Sequence, residues 1–360
     1  MRDAASGSMA QDGAGGTAAR HLRIEGVRVV YDTSRGPLVA LDGLDLAVGR
    51  REFVSVLGPS GCGKSTLLKL VTGLLKPTAG GITLADQPVA GPRPDVGIVF
   101  QQPTLLPWRN VLGNVLVPIR ARGGSVRAYR DKAMALLRLV GLDAFANHYP
   151  HELSGGMQQR VGLARALAND APILLMDEAY SALDPLIRYD MQTVLLDLQQ
   201  EVRKTIVFIT HDLDEALRIG DRIALLRDGS VIQQGTAQDI VLRPADDYVA
   251  NFVQHVDRGK VLKVGAVMQA RHGFDAPEAA PPEAALPDAA LPEAAIAPEA
   301  SIAEALQQMA ASRLQALRVQ DPQGRAIGVI PFQAAINAYT GQHGGQHDGQ
   351  HDGQHDGRQA

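Results

Sequence analysis

Residues 58–66 read Gly58-Pro59-Ser60-Gly61-Cys62-Gly63-Lys64-Ser65-Thr66, and no other stretch of the chain limits its fold so tightly. The spacing fits G-x-x-x-x-G-K-[ST], a phosphate-binding loop that needs a buried strand before it and a helix after it. Both flanks are present. The apolar run Phe53-Val54-Ser55-Val56-Leu57 predicts the strand, and Lys64 to Leu75 predicts the helix. Glycines let consecutive backbone N–H groups curl around β- and γ-phosphates, and the helix N-terminus adds positive potential. All nine residues, Gly58 to Thr66, are therefore expected to line a nucleotide such as ATP. Lys64 is expected on the γ-phosphate, and the Ser65 hydroxyl on Mg²⁺.

Two further anchors follow in order. Leu153-Ser154-Gly155-Gly156-Met157-Gln158 places a capping serine and two glycines at a helix start. Its N–H donors can hold a γ-phosphate. Ile173-Leu174-Leu175-Met176-Asp177-Glu178 is an apolar strand that ends in two carboxylates. Asp177 is expected to hold Mg²⁺, mostly through water, because that ion keeps part of its hydration shell. Glu178 is expected to polarise an attacking water. The Asp-Glu strand end says little alone; the three segments in this order and spacing are specific.

Together these segments resemble the ATPase subunit of ABC transporters over residues 22 to about 265, with Met157 where that family most often has Gln. The resemblance implies further roles. Tyr31 stands where an aromatic stacks on adenine, although a strand-end tyrosine has an ordinary structural reading too. Gln101, followed by a second glutamine at 102, matches the Q-loop residue that touches the metal site and a membrane partner. Ser181-Ala182-Leu183-Asp184 matches the D-loop, in which Asp184 links one site to the other. His211, after the apolar strand Thr205 to Ile209, matches the switch histidine that positions the γ-phosphate. In the family, Ser154, Gly155 and Gly156 face the P-loop of a second copy, so two chains would pair head to tail around two ATP molecules. Catalysis would fall to Glu178, His211 and Gln101, and the metal to Ser65, Gln101 and Asp177.

Composition supports this reading by exclusion. The net charge of −4 and the lack of a Lys/Arg cluster argue against a nucleic-acid partner. No apolar stretch approaches the ~20 residues that span a bilayer, and residues 1–20 lack a signal-peptide core. A peripheral protein on the cytoplasmic face of a bacterial inner membrane is expected. Cys62 is the only cysteine, which suits a reducing compartment. Neighbouring backbone donors and Lys64 are expected to favour its thiolate.

The expected fold is α/β: a P-loop ATPase core whose mainly parallel sheet carries an antiparallel edge and a helical subdomain. The expected divisions are a disordered 1–20, the ATPase core 21–265, a linker 266–300, a small folded unit 301–340 and a disordered tail 341–360. The linker repeats Pro282-Glu283-Ala284-Ala285-Leu286 with small changes, and regularly placed Pro prevents one continuous helix. Residues 301–340 predict helix, strand, turn, strand and helix, an order similar to one CBS repeat. The tail repeats Gln-His-Asp-Gly from Gln346; its His and Asp suit metals, but no scaffold fixes them.

The resemblance implies an importer ATPase, coupled to membrane permease subunits and, through them, to a solute-binding protein. Met176 to Arg188 and His211 to Arg222 are similar to glycine betaine/proline/choline importers, with Ala179 where most importers have Pro. Gln101-Gln102-Pro103-Thr104-Leu105-Leu106-Pro107-Trp108-Arg109 instead resembles nitrate/sulfonate/taurine importers. A cytosolic ABC ATPase without a transport role is the alternative of a different class.

Overall fold

The computed structural model describes residues 20–270 and 292–341. The expectations for residues 1–19, for the repeated linker segment and for the Gln-His-Asp-Gly tail lie outside the described residues. The chain divides into two compact units, residues 1–236 and 237–360.

The first unit is organised by two sheets. The larger has the order β10-β9-β3-β8-β7-β6. Its strands are β3 (Phe53–Leu57), β6 (Val96–Val99), β7 (Ile173–Asp177), β8 (Thr205–Thr210), β9 (Arg222–Arg227) and β10 (Ser230–Gly235). All neighbours run parallel except β9 and β10, which form the antiparallel edge. The Asp228-Gly229 turn between them has φ of 48° and 82°, the signs that a tight hairpin demands. The smaller sheet is antiparallel, with order β2-β1-β4-β5. It comprises β1 (Arg20–Thr33), β2 (Gly36–Gly49), β4 (Ala79–Leu84) and β5 (Gln87–Pro88).

Side chains alternate along a strand, so each central strand feeds two cores. Phe53, Leu174, Met176, Ile206 and Phe208 pack with the helices on one face. Val54, Val56, Ile173, Leu175, Val207 and Ile209 pack with α1 and the antiparallel sheet on the other. Burial on both faces is why these strands read as unbroken apolar runs. Each fully buried Phe or Leu contributes roughly 1.5–3 kcal/mol.

The helices of this unit are α1 (Lys64–Val71), α2 (Val111–Val115), α3 (Val117–Ala121), α4 (Val126–Leu139), α5 (Gly155–Ala168), α6 (Pro185–Val202) and α7 (Leu213–Ile219). Their starts follow capping chemistry. Ser154, Asp184 and Asp212 each accept a hydrogen bond from the third residue onward, and Pro185 occupies the first helical position, where no N–H is needed.

The second unit contains α8 (Ala237–Leu242), α9 (Asp247–Val253), α10 (Arg258–Val261), α11 (Val264–Val267), β11 (Gln269–Ala270), β12 (Ala295–Ile296), α12 (Ile302–Ser312), β13 (Ala316–Gln320), β14 (Ala326–Pro331) and α13 (Phe332–Thr340). Helix, strand, turn, strand and helix follow in the expected order over 301–340. A Ser301/Glu304 capping box starts α12. The sheet order is β11-β14-β13-β12, so the described ends of the 266–300 stretch supply both edge strands. Val264 N–H donates to Ala300 at 2.8 Å and Ile302 N–H to Leu262 at 2.9 Å. Among the described residues no helix is long and apolar enough to cross a membrane.

Candidate phosphate and nucleotide site

Local sequence shapes the loop between β3 and α1. Gly61 and Gly63 adopt φ of 84° and 110°, which side chains resist. A Cβ on Gly63 would also lie 2.5 Å from Leu41 and 2.8 Å from the Ala40 carbonyl. The loop folds around Lys64, whose side chain is 6% exposed. Its Nζ donates to the carbonyls of Gly58 and Pro59 at 2.7 and 2.9 Å. The first N–H groups of α1 have no partner within the helix. Ser65 is exposed at this end of α1. Tyr31, from β1, reaches Thr66: their hydroxyls are 3.4 Å apart.

The ends of β7 and β8 complete the cluster. Glu178 Oε1 lies 3.9 Å from Lys64 Nζ and 3.3 Å from His211 Nδ1. Glu178 holds φ of 43°, a left-handed conformation that a non-glycine residue keeps only when its surroundings impose it. Its N–H donates to Ile209 at 2.9 Å. Asp177, one residue earlier, has its carboxyl pushed up by burial and by Glu178, with Lys64 opposing. A cation beside Asp177 would favour its charged form and oppose that shift. The oxygens of Ser65 and Asp177 are hard donors of the type Mg²⁺ takes, so the residues present fit that ion.

Gln101 joins the cluster through its amide, which donates to Ser181 Oγ at 3.0 Å; Ser181 Oγ donates in turn to the Glu178 carbonyl at 3.0 Å. Ser154, Gly155 and Gly156 stand apart. Ser154 Oγ accepts from Met157 N–H at 3.3 Å and caps α5. A Cβ on Gly156 would meet Ile187 at 2.7 Å, so α5 starts close against α6. Among the described residues no hydrogen bond joins these three residues, or Asp184, to the phosphate loop.

One sequence expectation is corrected. Cys62 is 4% exposed, and burial pushes its thiol up, outweighing Lys64 and the backbone donors. The neutral thiol is favoured because its surroundings include apolar core as well as loop. Two residues escaped the sequence reading. Gln159 donates to the Gln101 carbonyl at 2.5 Å, and Arg165 to the carbonyls of Pro103 and Thr104 at 2.6 and 2.9 Å. They lie about one and three turns into α5, six residues apart, so no helical spacing in the sequence pairs them.

A parallel sheet, a lysine-centred glycine loop after β3 and carboxylates at the end of β7 define a P-loop nucleotide-binding protein. The ABC transporter family model matches residues 41–181. The chain is 49% identical over 243 residues to the glycine betaine transport ATP-binding protein OpuAA of Bacillus subtilis, covering 65% of this chain and 58% of that protein. It is 41% identical over 247 residues to the uncharacterized ABC transporter ATP-binding protein MJ0412 of Methanocaldococcus jannaschii, covering 68% and 90%. The dimeric structure of MJ0796, a bacterial ABC transporter cassette, superposes with a TM-score of 0.54 at 37% identity, over 60% of this chain and 98% of that one. The chain belongs to the ABC transporter ATP-binding family. It spans 58% of the length of the Bacillus relative.

Proposed function

We propose that this chain is the ATP-hydrolysing subunit of an ABC importer for glycine betaine/proline/choline-type quaternary amines. The convergence of Lys64, Glu178 and His211 beside the glycine loop carries the ATPase reading. The 49% identity to a glycine betaine transport ATP-binding protein supports the amine over the nitrate/sulfonate/taurine alternative.

In this reading residues 58–66 bind the ATP phosphates, with Lys64 on the γ-phosphate and Tyr31 against adenine. Mg²⁺, held by Ser65, Gln101 and Asp177, supplies charge neutralisation when bound. Glu178 takes a proton from the attacking water as oxygen bonds to the γ-phosphorus and the bond to ADP breaks. His211 orients the γ-phosphate, and the loop donors hold the spreading negative charge. Ser154, Gly155 and Gly156 serve the ATP of a second copy, paired head to tail, with Asp184 as the link. Gln101 and the following segment report to a membrane permease, and through it to a solute-binding protein, at the cytoplasmic face. We place a CBS-like unit at residues 301–340.

Glu178→Gln tests the assignment. It keeps the shape and removes the base, so kcat is expected to fall roughly 10²–10⁴-fold while ATP binding persists. Steady-state hydrolysis within twofold of wild type would exclude Glu178 as the base.

A further inference from the structure

Behind the strand end that carries Glu178 lies a set of charged side chains with no part in the chemistry above. Glu215 is 4% exposed. It accepts from the Thr210 hydroxyl at 2.7 Å and the Gln192 amide at 3.2 Å. Beside it, Arg188 spreads one guanidinium over three segments. Its Nη1 donates to Asp212 at 3.0 Å. Its Nη2 reaches the carbonyls of Leu183 and Ser181 at 3.2 and 3.4 Å. Its Nε lies 3.7 Å from Glu215 Oε1. A planar fork with five donors can serve such divergent acceptors at once; an ammonium cannot.

The segments so joined are those that place the reacting groups. Asp212 directly follows His211. Ser181 bonds both to the Glu178 carbonyl and to Gln101. His211 and Glu178 face each other at 3.3 Å. Contacts therefore run from Glu178 through Ser181, Arg188, Asp212 and His211 back to Glu178. Movement of either loop breaks bonds at Arg188, and the left-handed backbone of Glu178 needs such restraint.

We propose that Arg188 is a positioning residue that sets His211 against Glu178 by tying the Ser181–Asp184 turn to Asp212. The proposal rests on the ATPase reading of those two residues. The competing role for Arg188 is simple neutralisation of buried Glu215. Loss of that role lowers stability but leaves turnover per folded molecule and the His211 environment unchanged.

The test uses the full chain with Arg188→Gln, Arg188→Lys, Asp212→Asn and the double variant Arg188→Gln/Asp212→Asn. Asn caps helices as well as Asp, so Asp212→Asn removes charge and spares α7. Arg188→Gln is expected to lower kcat roughly 10- to 100-fold, the scale of an ångström misplacement, with KM for ATP within about twofold. Arg188→Lys should recover part of the loss, and the double variant should be no worse than Arg188→Gln alone. The His211 ring resonance, assigned by its disappearance in His211→Gln, should shift in Arg188→Gln and return partway in Arg188→Lys. If kcat stays within twofold and the His211 resonance is unmoved, Arg188 is only a counter-ion, whatever happens to Tm. If the wild-type chain hydrolyses no ATP, the proposed function fails; the His211 resonance then decides the positioning role alone.

Discussion

His21 shows how one side chain can set a pH dependence away from any site. It is 5% exposed on β1, and neither ring nitrogen has a partner among the described residues. Burial lowers its pKa from the ordinary 6.5; Arg50 adds to this, while Asp95 and Asp86 oppose it. The folded pKa lies below the unfolded one. As pH falls through about 6.5 the unfolded chain binds the proton first, and stability is lost until the folded pKa is passed. His21→Leu is therefore expected to flatten the acid side of the stability profile between pH 8 and 5. Urea midpoints at those pH values measure it, and equal acid losses in both proteins would discount His21. Nothing in the sequence announced this residue, since a lone His in a strand has no periodic signal. The glycine loop, Asp177 and Glu178 were legible because their chemistry depends on covalent neighbours. Cys62 was misread because its burial comes from strands distant in sequence.

Helix starts were readable for the same local reason, and they convert to measurable energies. Asp184 directly precedes Pro185, and its carboxylate accepts from Ile187 N–H at 3.1 Å. Asp184→Ala should cost about 0.5–2 kcal/mol, and Asp184→Asn very little. Thermal or urea unfolding of the two variants compares them directly; equal losses would mean that charge, not capping, sets the cost. The antiparallel sheet was harder to read. β1 and β2 pair over long stretches with several register shifts, so their alternation slips and the apolar pattern loses its period. Arg188 ends the distinctive stretch Met176 to Arg188, yet its role depends on α6 meeting the loop before α7. Spacing along the chain cannot express that tertiary contact.

At the scale of the molecule, stability divides as the cores do. Both apolar clusters of the first unit fall within residues 22–226, and its last strand ends at Gly235. The second unit buries Leu262 and Val264 together with Ile302, Leu317, Val319 and Ile330. Its β11 pairs with β14, and Lys263 bridges to Ser301. Residues 237–270 thus belong with residues 292–341, although the sequence places a linker between them. Two truncations separate the consequences. A chain ending at Thr236 keeps both clusters whole and is expected to unfold cooperatively and remain soluble. A chain ending at Ala270 keeps α8 to α11 but loses the strands and helices that cover Leu262 and Val264. Exposed apolar surface of that kind promotes association, so the longer fragment is expected to be the less soluble of the two. Size-exclusion chromatography and thermal unfolding of both fragments check this order. A monomeric, cooperative fragment ending at Ala270 beside an aggregating one ending at Thr236 would show that residues 237–270 serve the first unit's stability instead.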